Sequence, residues 1–145
     1  MSLLKDLADA LAEALSGYSW STVDATPSVS RANWPSVDIE DMVNPVIVVT
    51  PGSQNNIERV DRSKHQFDYQ INVFVGRHTP TEADADQMLE FTEEIIDVLL
   101  ANDWGELEFP ATSPMSISLD INPDEGLQER NVWRAVISVT YRTFR

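Results

Sequence analysis

FDYQINVFV, residues 67–75, places Phe67, Tyr69, Ile71, Val73 and Val75 on one side of an extended chain and Asp68, Gln70 and Asn72 on the other. Side chains of a strand point to alternate faces, so this segment reads as a strand with one face against a core. Upstream lies PVIVVTPG, residues 45–52. Its four consecutive aliphatic β-branched residues, followed by Thr50 and bounded by prolines, read as a buried central strand. The polar SQNN that follows, residues 53–56, reads as a turn, and residues 57–75 then read as one long strand. The first part of that strand, IERVDRSKH, is polar on both faces and would project beyond the core.

The same alternation recurs downstream. Met115, Ile117, Leu119 and Ile121 alternate with Ser116, Ser118 and Asp120, and Trp133, Ala135, Ile137, Val139 and Tyr141 alternate with Arg134, Ser138, Thr140 and Arg142. Between these two strands stands NPDEGLQERN, preceded by Asp120 and Ile121. The stretch DINPDEG resembles a calcium loop at first sight. An EF-hand loop needs Gly at position six and a bidentate Glu at position twelve. Counted from Asp120, those positions hold Glu125 and Asn131. The stretch therefore reads as a strand end and a long hairpin tip at about 122–131, turned by Pro123 and Gly126, with no metal site.

Two helices complete the pattern. Leu4, Leu7, Ala8, Leu11 and Leu15 recur at helical spacing, with Ser2 placed to cap the start and Gly17 to end it. Thr79, Pro80, Thr81 and Glu82 form a capping box with proline at the first helical position. Behind it Ala85, Met88, Leu89, Thr92, Ile95, Ile96 and Leu99 make a core stripe, and Glu82, Asp86, Glu90, Glu93 and Asp97 an acidic one. Asn102 to Gly105 would end this helix. Residues 18–43 show no clear period and read as an irregular arm with a short extended piece near Val37 to Met42.

The expected architecture is α+β: a mainly antiparallel four-stranded sheet with two amphipathic helices on one face, in the order α-β-β-α-β-β. The 145 residues suit a single domain, and 42% hydrophobic content is enough for a core. The polar face of the sheet is left for solvent or a partner. Without Cys there is no disulfide or thiolate metal site, and the acid-interrupted N-terminal segment is neither a signal peptide nor a membrane span. The chain thus reads as soluble and intracellular when made.

The net charge of −14 is unevenly placed. Residues 78–129 hold fourteen acidic side chains and no Lys or Arg, and the remainder is balanced. Such a surface repels phosphates, which argues against ordinary nucleic-acid binding; simple solubility explains it as well as a specific use of the field does. Nothing reads as an enzyme. The serines have no convincing base, and the five scattered Gly make no phosphate-cradling loop. His78, Asp84 and Asp86 crowd a helix start, where acids favour the helix dipole more readily than they bind metal. Glu106 and Glu108 read as two surface carboxylates. No cofactor is expected. Trp133 belongs to the core alternation, whereas Trp20 and Trp34 in the arm either pack beneath it or anchor a neighbouring subunit.

The N-terminal helix, PVIVVTPG, HQFDYQINVFVGRH, TPTEADADQMLEFTEEIIDVLL and the closing VWRAVISVTYRTFR together resemble the tail terminator (tail-completion) proteins of tailed bacteriophages. The resemblance covers most of the chain and rests on element order and strand character. It implies a structural virion protein of the tail and neck, synthesised in the host bacterial cytoplasm. It also implies a homo-oligomeric, hexameric ring that caps the tail tube and stops its growth. Its partners would be further copies of itself, the tail tube protein and a neck or head-completion protein, with no membrane. DNA would pass through without specific binding. On the sequence itself, Arg59, Arg62 and Lys64 of the projecting segment and Glu90, Glu93 and Asp97 of the acidic helix face are candidate subunit contacts, with Trp20 and Trp34. Two other readings remain: a head-completion or head–tail connector protein, and an acidic inhibitor that mimics DNA.

Overall fold

The computed structural model describes residues 3–23, 26–33, 44–59, 65–79, 82–101, 114–121 and 132–144. Helix α1 (Leu3–Ser16) is followed by β1 (Ser28–Arg31), β2 (Val46–Arg59), β3 (His65–His78), α2 (Glu82–Ala101), β4 (Pro114–Ile121) and β5 (Val132–Phe144). The class is α+β. The sheet has five strands, however, in the order β1-β2-β3-β5-β4, and it is mixed. β1 runs parallel to β2, and every other pair is antiparallel.

The extra strand comes from the region read as an irregular arm. Ser28–Arg31 is only four residues long, too short for its alternation to stand out. It exists because β2 offers it an edge: Ser28 pairs with Val46 and Arg31 with Val49. Parallel neighbours need a crossover of about a dozen residues or more, which residues 32–45 provide. The extended piece expected at Val37 to Met42 lies outside the described residues.

A second correction concerns the polar SQNN. It is not a turn. β2 continues through it to Arg59, pairing Ser53 with Gln70, Asn55 with Asp68 and Arg59 with His65, so residues 57–59 end β2 and do not begin the long strand expected at 57–75, which starts at His65. The register slips between Pro51 and Ser53 and again between Asn55 and Glu58. The Pro-Gly pair thus marks a bulge within a strand. Gly52 is required there, because a Cβ would sit 2.8 Å from the Gln70 carbonyl oxygen and 3.2 Å from Asn72 Nδ2. Gly52→Ala must push β2 off β3 and should cost about 1–3 kcal/mol. An unchanged denaturation midpoint would show that the bulge yields freely.

Both helices pack on one face of the sheet. α1 lies across β1, β2 and β3, and α2 across β5 and β4. One cluster joins Leu7, Leu11 and Leu15 of α1, Met88, Phe91, Ile95 and Leu99 of α2, and Ile47, Val49, Tyr69, Ile71, Val73, Val75, Trp133, Ala135, Ile137, Val139 and Tyr141 of the sheet. Ile117 and Leu119 at the β4 edge are half-buried against it. The side chains of Leu4, Phe67 and Met115, expected on this face, lie outside the described set. Leu89 does not belong to the core. It is 36% exposed, and Phe91, absent from the expected stripe, is fully buried. One residue on from Met88 the helix has turned by about 100°, which carries Leu89 to the flank.

The pairing aligns residues in rows straight across the sheet. Val29, Ile47, Val75, Ala135 and Ile121 form one, and Arg31, Val49, Val73, Ile137 and Leu119 the row two residues along. The opposite face is not uniformly polar as expected. Val46 and Val48 are 6% and 3% exposed, Thr50 and Val132 are buried, and Phe74 lies 5.3 Å beneath the Arg134 guanidinium. Farther along, Ser138 Oγ and Gln70 Nε2 donate to Asn72 Oδ1 at 3.1 and 3.3 Å. The β-branched run of β2 fills both faces, so the face is apolar at one end and polar at the other.

Candidate assembly surfaces

α2 carries the main charged surface. Glu82, Asp86, Glu90, Glu93 and Asp97 are all exposed. They stand opposite the buried Met88, Phe91, Thr92, Ile95 and Leu99, as the 3.6-residue period requires. Thr92 is accommodated on the buried side because its Oγ1 donates to the Met88 carbonyl at 2.8 Å. The ion pairs Lys5–Asp9 and Arg31–Asp9, each at 3.0 Å, belong to the α1 side of the molecule. Arg77 of β3 reaches α2 and donates to Gln87 Oε1 at 2.8 Å.

The basic candidates are brought together less completely. Arg59 closes the β2–β3 ladder opposite His65, beyond the last helix-covered rows. Arg62 and Lys64 lie outside the described residues, as do Trp34, Glu106, Glu108 and the hairpin tip 122–131. Asp120 and Ile121 end β4, and both are exposed. His78 and Asp86 are exposed and Asp84 half-buried. Among the described residues no three His, Cys, Asp or Glu side chains come together as metal ligands. No helix among them is long and apolar enough to cross a membrane.

Trp20 packs within its own chain. Its ring is 5.0 Å from Phe91 of α2 and 4.6 Å from Tyr18, both edge-on. Tyr18, 42% exposed, is the aromatic of this group that faces outward. The chain continues into a contact that sequence reasoning missed. The Ser21 N–H donates to both Glu94 oxygens at 3.2 Å and its Oγ to Oε2 at 2.9 Å. The Thr22 N–H and Oγ1 donate to Oε1 at 3.2 and 2.7 Å. One carboxylate thus clamps the segment after α1 onto α2. Glu94 falls between the acidic and apolar stripes, and that intermediate position was the one available signal.

Burial pushes the Glu94 carboxyl upward, but the hydrogen bonds from Thr22 and Ser21 outweigh it and hold the group below its ordinary value of 4.5. A lowered folded-state value means that the contact stabilises fully above the unfolded-state value. Its contribution is lost as pH falls through the folded-state value. Glu94→Ala should cost about 1–3 kcal/mol at neutral pH, because the donors lose a charged acceptor. The difference between wild type and Glu94→Ala should shrink in acid, a trend that urea unfolding across pH would reveal. A constant difference would mean that the carboxylate charge contributes nothing.

No protein-family model matches the chain, and no curated protein sequence matches it.

Proposed function

We propose that this protein is a phage tail terminator: a structural subunit that closes into a ring, caps the tail tube and joins it to the neck. The observation that carries the reading is the exposed acidic stripe of α2 on a chain whose β2–β3 ladder extends past the helix-covered core to Arg59. A negative face and a projecting basic segment on one chain suit a heterologous contact, which generates a ring when its rotation closes. The element order supports the same reading through its resemblance to tail terminators. An acidic ring would also let packaged DNA slide through, since like charge suppresses phosphate contacts.

Native mass spectrometry of the protein with and without assembled tail tubes tests the proposal. A closed oligomer, free or formed on tubes, is the expected result. A monomer or dimer that ignores tubes and captures a basic DNA-binding protein would replace it with the DNA-mimic reading. A ring that binds head connectors but not tubes would place the protein on the head side of the neck.

A further inference from the structure

Two strand edges of the sheet match each other. β1 and β4 are the outermost strands, and among the described residues neither has a partner on its outer side. An open edge presents unpaired N–H and C=O groups and is a template for another strand. Edges left open in this way are usually blunted by charge, proline or bulges. Here the outer part of β2, past the end of β1, carries Pro51 and two register slips. β4 has its irregularity at Pro114–Ser116 and then pairs regularly from Ser116 to Ile121.

The edges also lie at one level. The row through Val29 ends at Ile121, the next through Ser30 ends at Asp120, and the row through Arg31 ends at Leu119. On the helix-covered face both rims are unfinished: Val29, Ile117 and Leu119 are half-buried, and Ile121 is 43% exposed. On the opposite face both rims are polar and exposed, with Ser28 and Ser30 on β1 and Ser116, Ser118 and Asp120 on β4. Strand direction agrees as well. β4 runs opposite to β5, β5 opposite to β3 and β3 opposite to β2, while β1 follows β2. β4 of one copy and β1 of the next, placed side by side as the sheet continues, are therefore antiparallel.

We propose that copies of this chain join edge to edge, the outer edge of β4 in one copy pairing antiparallel with β1 of the next. Val29 then faces Ile121 across the subunit boundary, and Leu119 lies level with Arg31, whose guanidinium is held by Asp9 of α1 at 3.0 Å. The contact is head-to-tail, and it closes into a ring when the rotation from one copy to the next closes. This rests on the ring reading and specifies which edges make the ring.

The chain contains no Cys, so single cysteines report the contact cleanly. Facing residues of an antiparallel pair lie about 4.5–5.5 Å apart at Cα, within reach of a disulfide. Val29→Cys and Ile121→Cys, each checked for a wild-type-like melting transition, are mixed under mild oxidation. Covalent dimer should appear in the mixture and be lost when either variant is oxidised alone. The double variant Val29→Cys/Ile121→Cys should give a ladder ending at the size of the native oligomer. Crosslinking of Ile121→Cys alone would show a symmetric β4–β4 contact and overturn the proposal. A native oligomer with no crosslink in the mixture would overturn it too while leaving the ring intact. A chain that stays monomeric with and without tubes would remove both.

Discussion

Ile95→Ala and Leu11→Ala should each lower the free energy of unfolding by about 2–5 kcal/mol, and Phe91→Ala by about 3–5 kcal/mol. All three side chains are fully buried in the single cluster between the helices and the sheet. Removing them takes away buried methylene or ring surface and leaves a cavity that interlocked neighbours can only partly fill. Phe91 has a further partner: its ring meets Trp20, so its loss also loosens the segment that Glu94 clamps. Leu89→Ala is the control. At 36% exposure on the flank of the same helix it should cost no more than about 1.5 kcal/mol, less than any of the buried three. Urea unfolding of the four variants decides the matter. If Ile95→Ala and Leu89→Ala had equal midpoints, α2 would not be packed by the face described.

On the proposed ring, the second large effect is on assembly. Arg59→Glu, Arg62→Glu and Lys64→Glu made together should leave the monomer folded and impair ring formation and tail capping. Each surface ion pair contributes only about 0–1 kcal/mol, so no single change should dominate. Three reversals repeated at every contact around a ring turn several weak attractions into repulsions. Charge reversal of Glu90, Glu93 and Asp97 to Lys in the same chain should partly restore assembly, since these acids are exposed on one face of α2. Raised salt should weaken the wild-type contact and soften the triple variant's defect. A triple variant that assembles and caps tails normally would remove the Arg59-to-Lys64 segment from the interface. The β4–β1 crosslink would then still stand or fall by itself.

The sequence by itself determined which residues form most elements and which side of each faces the core. α1, β5, residues 67–75 of β3 and the acidic face of α2 follow from periodicity, because burial of one face leaves a period of 3.6 or 2 in the order of apolar residues, whereas the inner stripe of α2 was misjudged at Leu89 and Phe91. The exposed acidic stripe at Glu90, Glu93 and Asp97 was legible for the same reason. What depended on a distant partner was not. β1 is a strand because β2 lies beside it, and Ser-Val-Ser-Arg has no pattern of its own strong enough to say so. SQNN continues β2 because Gln70, Tyr69 and Asp68 of β3 pair with it across a bulge that Gly52 makes possible, whereas its composition alone favours a turn. Glu94 became a clamp only when folding brought Ser21 and Thr22 to it across more than seventy residues of chain. The shared level of Val29 and Ile121, at opposite edges of the sheet, exists only through four successive registers. Periodicity is a local record of burial, while pairing, clamping and edge position are set by which segments meet, and that only the tertiary structure decides.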